Sequence, residues 1–319
     1  MFLPILAVII GFVLLAWGAD RFVDGAASIA RHFHVSPMII GLTIVSLCTS
    51  LPEMLVSGLA ALEGNSDLGI GNALGSNIAN IGLVLGVTAM ISPISVKSLT
   101  LRREMPVLFL IMLLALALMV DGDLSRVDGI ILLTGLFLML CWLARLGMQE
   151  RDDPLEDEFS DVIHADISLK KSVFWFVMGL ALLLISSRAV IWGSVEIAHM
   201  FGISDLVIGL TIVAIGTSLP ELMAAVVGVL KDEHDLVIGN VVGSNMFNIL
   251  AVLSMPAFIH PQVFASDALL RDFPIMFAFS IVLFLMAFGF RAQGQVNRIE
   301  GALLASGFSA YLVLLYVQS

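Results

Sequence analysis

The chain has 319 residues, 59% of them hydrophobic and only 13% charged, with a formal net charge of −11 and a mean hydropathy of +1.05. A soluble domain cannot bury that much apolar surface, so the composition excludes a soluble globular enzyme and points to an all-α polytopic membrane protein. At about 20 apolar residues per span, ten candidate spans follow in chain order: roughly 3–30, 36–62, 67–92, 104–120, 127–146, 172–200, 204–230, 235–259, 272–290 and 297–317.

The first span has no cleavage-like end and runs straight into the second, as an uncleaved helix does. The second carries Cys48-Thr49-Ser50-Leu51-Pro52-Glu53, a helix breaker beside a carboxylate in an apolar run. A polar patch from Lys97 to Glu104 precedes the fourth span. After the fifth, Glu150, Asp152, Asp153, Glu156, Asp157, Glu158, Asp161 and Asp166 form the only long polar segment. Its composition predicts a solvated linker, with cation sensing as the alternative. The expected organisation is a first five-helix repeat over 1–147, an acidic linker over 148–168 and a second five-helix repeat over 169–319. Cys48 and Cys141 both fall inside spans without a CxxC partner, so neither a disulfide nor a thiolate metal site is expected. Lys and Arg placement sets the orientation. With both termini outside, the cytoplasmic side carries Arg31, Lys97, Arg102, Arg103, Arg145, Arg151, Lys170, Lys171, Lys231, Arg291 and Arg298, and the outside only Arg126 and Arg271.

The seventh and eighth spans repeat the second and third. Residues 40–93 and 208–261 align without gaps at an offset of 168, and 27 of the 54 positions are identical. The matches cluster at "IGLTIV" (40–45 and 208–213), "TSLPE" (49–53 and 217–221) and "GN..GSN..NI" (71–81 and 239–249). Five spans per half is an odd number, so the second half enters the membrane from the opposite side. The result is an inverted-topology repeat, which brings matching segments together near the midplane. Glu53 is expected to face Glu221, and Asn80 to face Asn248.

The repeated residues are oxygen donors. Pro52 and Pro220 lack an N–H, which releases the carbonyls of Cys48 and Gly216. Thr49, Ser50 and Glu53 share a helix face, as do Asn72, Ser76 and Asn80; the second copy supplies Thr217, Ser218 and Glu221, and Asn240, Ser244 and Asn248. An all-oxygen set with two acids suits a hard cation, either one Ca²⁺ or two Na⁺, and acids inside a membrane are costly enough to imply function. For Ser76, Asn77, Ser244 and Asn245, liganding and interhelical bracing both stand open. Gly71, Gly75, Gly239 and Gly243 read as close-packing positions, and Asp67 and Asp235 as helix caps. His32 and His34 read as solvated loop residues, and Arg103-Glu104 and Arg271-Asp272 as interface anchors.

At these residues the sequence resembles the calcium/cation antiporter superfamily, and within it the prokaryotic sodium/calcium exchangers, whose paired alpha repeats the two "TSLPE" and two "GSNxxN" segments match. The resemblance covers essentially the whole chain. It implies a ten-helix exchanger fold, Ca²⁺ export driven by Na⁺ entry, residence in a prokaryotic cytoplasmic (inner) membrane and function as a monomer. There would be no cofactor, no catalytic residue and no nucleic-acid partner. The implied ion ligands are Thr49, Ser50, Glu53, Ser76 and Asn80 with Thr217, Ser218, Glu221, Ser244 and Asn248, joined by the backbone carbonyls of Ser46 and Ala214. The first span and its mate over 172–200 would be the helices that slide across the core. There are two departures. Cys48 stands where the second copy, and the usual family pattern, has glycine (Gly216), and Asn248 occupies a position that is Asp in some members, including potassium-dependent ones; both copies here read Asn, which leaves two acids rather than three, argues against potassium dependence and leaves the Na⁺ stoichiometry open. Alternative readings are H⁺-coupled transport of Ca²⁺ or another divalent cation, since buried carboxylates also bind protons, and a cation channel.

Overall fold

The computed structural model describes residues 2–33, 35–96, 98–150, 168–201, 214–288 and 294–318. Most of the expected acidic linker and the first third of the seventh predicted span lie outside the described residues. The helices are α1 (Phe2–His32), α2 (Pro37–Thr49), α3 (Leu51–Leu62), α4 (Ser66–Ile91), α5 (Ser98–Met119), α6 (Arg126–Glu150), α7 (Leu169–Met200), α8 (Ala214–Thr217), α9 (Leu219–Leu230), α10 (His234–Ile259), α11 (Ala268–Ala287) and α12 (Arg298–Gln318). Among the described residues seven of these, α1, α4, α6, α7, α10, α11 and α12, are long and apolar enough to cross a membrane. The α2–α3 pair makes an eighth if it is one span bent by 42°. Helix α5 covers the fourth predicted span, and α8 with α9 makes up the described part of the seventh.

Burial separates the helices into a centre and a rim. The apolar window of α10 is 100% buried and that of α4 is 72% buried, whereas the other spanning windows are 22–33% buried. The core therefore forms around α4 and α10. It runs from Met38 through Leu74, Leu108 and Leu132 to Met246, Met276 and Phe308, drawing on both halves of the chain.

The rim helices α1 and α7 run antiparallel along much of their lengths. Small residues let the backbones touch: a Cβ on Gly18 would lie 3.2 Å from the Gly179 carbonyl, and one on Gly179 would lie 2.5 Å from the Phe22 nitrogen. Phe22 stacks on Phe176 at 4.8 Å, and the Ser28 and Ser172 hydroxyls meet at 2.7 Å.

Two short antiparallel strand pairs, invisible in the hydropathy pattern, tie the halves at their ends. β1 (Ile94–Val96) pairs with β4 (Gly294–Val296), and β2 (Asp123–Leu124) pairs with β3 (Gln262–Val263). Each takes one strand from each half, and strands of two or three residues need such a partner to satisfy their backbone groups.

Three expectations at helix ends need correction. Asn65, not Asp67, caps α4, its side chain accepting from Leu68 N at 3.3 Å. The Asp67 carboxylate instead accepts from Ala265 N at 2.9 Å. The pairs Arg103-Glu104 and Arg271-Asp272 are not surface anchors, since Glu104 is 1% and Asp272 6% exposed. Arg103 Nε donates to Glu104 at 2.7 Å. Arg271 forks onto Asp272 at 2.8 and 3.1 Å, and Tyr311 OH donates to the same carboxylate at 3.0 Å.

Candidate cation site

The two proline motifs fold alike. Helix α2 ends at Thr49 and α8 ends at Thr217. The next residues, Ser50 (φ −82°, ψ 3°) and Ser218 (φ −87°, ψ 5°), take the same bridge conformation. Leu51 and Leu219 then restart the chain, with Pro52 and Pro220 in the first turn, where a missing N–H costs nothing. Each break turns a helix carbonyl end, which favours a cation, toward a carboxylate on the following turn.

On the partner helices, Asn80 and Asn248 each open a π-helical stretch, Asn80–Leu85 and Asn248–Val252. A π turn widens the helix and reorients the residue at its start, and such bulges favour functional positions. A further π stretch, Gly41–Val45, lies just before the first proline motif.

The candidate residues converge. Glu53 and Glu221 are 1% and 2% exposed and lie within Coulombic reach of each other. Thr49 Oγ1 reaches Asn240 Oδ1 at 3.2 Å. A Cβ on Gly243 would lie 2.6 Å from Ser46 Oγ, so α2 presses on α10 one residue from Ser244. Ser76 and Thr217 line one cavity of about 260 Å³, whose other wall includes Asp67, Arg271, Asp272 and Tyr311. Ser50, Ser218, Ser244, Asn80 and Asn248 are buried around this centre, and Ala214 begins α8.

Asn80 does not pair with Asn248. Its Nδ2 donates to Asn245 Oδ1 at 3.1 Å, so Asn245 braces α4 against α10, while Asn77 Nδ2 reaches the Met276 sulfur at 3.3 Å. The Ser46 carbonyl accepts Ser50 N at 3.0 Å and Thr49 Oγ1 at 3.4 Å.

The carbonyl that Pro220 releases is not free either. Ser187 on α7 donates to Gly216 O at 2.9 Å, which ties a rim helix to the break. The residue at the matching position of α1 is Ala19, which has no hydroxyl to offer the Cys48 carbonyl. The same comparison accounts for Cys48. A Cβ on Gly216 would strike the Ile191 side chain at 2.3 Å. The residue matching Ile191 is the smaller Val23, in the cluster that Cys48 packs against.

The decisive feature is a set of buried oxygens with no hydrogen-bond partner among the described residues: Glu53 Oε2, Glu221 Oε2, Ser50 Oγ, Ser218 Oγ, Ser244 Oγ and Asn248 Oδ1. Each orphaned polar atom costs about 1–3 kcal/mol, more for a charged one, so six together have no place in a purely structural design. All are hard oxygen donors drawn from both halves, the donor type that divalent and alkali cations take.

Sequence reasoning left Asn72 and Asn240 out of the ligand set, although both share the faces of the residues in it. Asn72 Nδ2 donates to the Glu53 carbonyl and to Ser57 Oγ, both at 3.1 Å, so it secures the turn that carries the acid. Their recurrence at matching positions in both copies is the signal that marks them.

A membrane-embedded, all-oxygen, two-acid site between repeated broken helices defines a cation antiporter of the exchanger class. Residues 3–145 and 171–317 match the sodium/calcium exchanger protein family, and the chain belongs to that family. It is 47% identical to the putative antiporter CaxA of Alkalimonas amylolytica, with 99% of both chains covered. It is 41% identical to the inner membrane protein YrbG of Escherichia coli, covering 99% of this chain and 98% of that one. With the sodium/calcium exchanger MaX1 of Methanosarcina acetivorans it shares 30% identity over 98% of each chain. The fold superposes on the sodium-calcium exchanger NCX_Mj at a TM-score of 0.84, with 32% identity and 98% of each chain covered.

Proposed function

We infer that this chain exchanges Ca²⁺ for Na⁺ by alternating access, and the orphaned buried oxygens around Glu53 and Glu221 carry that reading. The ligands are Thr49, Ser50, Glu53, Ser76 and Asn80 with Thr217, Ser218, Glu221, Ser244 and Asn248, together with backbone oxygen from Ser46 and Ala214. The two carboxylates neutralise one Ca²⁺, whereas Na⁺ must bind more than once to do the same. The ions compete for one set of oxygens, and that competition couples their fluxes. Protons need only the acids, so the surplus of hydroxyl and amide oxygens favours Na⁺ as the counter-ion.

The matching breaks at Ser50 and Ser218 support ten spans in two inverted five-helix repeats, 1–147 and 169–319; the placement of Lys and Arg supports a cytoplasmic 148–168 linker with both termini outside. A single chain carries every ligand, so the monomer suffices. In this orientation the cavity by Asp67 and Arg271 leads from the outside to Ser76 and Thr217.

The test is ⁴⁵Ca²⁺ uptake into inverted or reconstituted vesicles loaded with Na⁺. Uptake is expected under an outward Na⁺ gradient and not under a pH gradient alone. Uptake that follows the pH gradient overturns Na⁺ coupling, and flux at channel rates overturns antiport. A second expectation concerns Asn72. Asn72→Ala removes two hydrogen bonds from the Glu53 turn, worth about 1 kcal/mol each. Ca²⁺ uptake at subsaturating ion should fall about tenfold, while Ser309→Ala, at an exposed bond on α12, leaves it unchanged.

A further inference from the structure

The turn after α9 is held to the rim helix α1 by charge. Lys231 Nζ lies 2.7 Å from Asp20 Oδ1 and 2.6 Å from Asp24 Oδ1, and it donates to the Asp20 carbonyl at 3.1 Å. Two residues on, Glu233 accepts from Arg31 at 3.3 Å. The same turn exists in the first half. There Gly64 (φ 81°) matches Asp232 (φ 60°), the two left-handed residues following α3 and α9. At the repeat offset Lys231 therefore corresponds to Glu63, and Asp20 to Arg188 on α7. Both members of the pair are reversed in sign.

Glu63 and Arg188 are exposed in the structure, and neither makes an ion pair among the described residues. A guanidinium two-thirds of the way along a membrane-crossing helix is costly without a partner. Two independent reversals that restore a matched pair point to a constraint on the pair rather than on either residue.

We propose that Glu63 and Arg188 form the counterpart of the Asp20–Lys231 ion pair, made when access switches to the opposite side of the membrane. The proposal rests on the inverted-repeat antiport reading. In the present state, α1 is pinned to the α9 turn through Lys231, and Arg188 on its antiparallel partner α7 stands apart from Glu63. When the α1–α7 pair moves across the core, Lys231 loses Asp20 and Asp24 while Arg188 meets Glu63. One latch is made as the other breaks, so neither end state is left with both sets of charges unpaired. The opposite signs also prevent cross-pairing, since Arg188 repels Lys231 and Glu63 repels Asp20.

The test uses the full chain in proteoliposomes. Glu63→Lys and Arg188→Glu are each expected to slow Ca²⁺ exchange about two- to fivefold, the range of a partly exposed pair, and the double variant Glu63→Lys/Arg188→Glu to return it close to the wild-type rate. Under oxidation, Glu63→Cys/Arg188→Cys should yield a disulfide-linked peptide joining positions 63 and 188, read by mass spectrometry. Absence of that linked peptide overturns the latch, as does a double charge swap no faster than the slower single variant. A chain that forms the link but moves no Na⁺ against Ca²⁺ overturns the exchange reading and leaves the latch standing.

Discussion

Glu53→Gln or Glu221→Gln abolishes exchange while the protein stays folded. Each acid is almost fully buried, and each has an oxygen with no protein partner, so removing one charge leaves a bound divalent ion half neutralised in a low-dielectric site. Breaking a buried charge pair costs about 3–5 kcal/mol, which lowers Ca²⁺ affinity by about two to four orders of magnitude. The ion-free protein responds in the opposite sense. Two carboxylates within Coulombic reach destabilise each other without a cation, so either substitution raises the melting temperature in chelator and removes the upward shift that Ca²⁺ produces in the wild type. Melting curves with and without Ca²⁺, beside ⁴⁵Ca²⁺ uptake, check both halves. Wild-type flux from either variant would sink the assignment.

Gly239→Val separates α10 from α2. A Cβ at 239 would sit 2.5 Å from the Met38 carbonyl and 3.1 Å from the Leu42 nitrogen, and the reciprocal position Gly41 is 2.6 Å from the Leu236 carbonyl. These are backbone atoms and cannot step aside as a flexible side chain could. Overpacking in a closed core costs about 1–3 kcal/mol, and valine adds two methyls beyond the first clash, so the loss lies at the upper end of that range. The melting temperature in detergent drops, and transport falls with it, because α2 carries Thr49 into the site. Gly58→Ala is the contrast. It sits within α3 with nothing among the described residues within 4 Å of its Cβ position, and alanine is the better helix former. Its melting temperature should hold or rise slightly.

Much of the site was legible because the repeat filters the sequence. A polar residue in one span has many explanations, but Glu53 with Glu221 and Asn80 with Asn248, at one offset, have few. What remained hidden depends on atoms that no periodicity encodes. The π stretches starting at Asn80 and Asn248 stay hidden because the residues after each asparagine are apolar on every side, so the rotation that an extra residue per turn brings moves no polar residue off its face. Ser187 could not be assigned to the Gly216 carbonyl from sequence, because the two lie 29 residues apart on different helices. Arg271-Asp272, at the repeat position that matches Arg103-Glu104, read as an interface anchor. Only the tertiary contact with Tyr311 shows the pair to be internal. Cys48, the odd member of its motif, is explained by a neighbour on another helix: the pairs Cys48 with Val23 and Gly216 with Ile191 exchange bulk between partners.

The complete burial of the apolar window of α10 has a consequence for how the chain is made. A helix carrying Asn240, Ser244, Asn245 and Asn248 leaves the insertion machinery with those amides facing lipid, where nothing satisfies them. Its polar partners include Thr49 and Asn80, which belong to spans synthesised long before it. The earlier spans must wait with an open seam until α10 fills it, and the β1–β4 pair closes only when the chain is nearly finished. Contacts such as Thr49 with Asn240 and Asn80 with Asn245 join early and late spans, so on this account the last step of assembly draws on both halves of the chain at once.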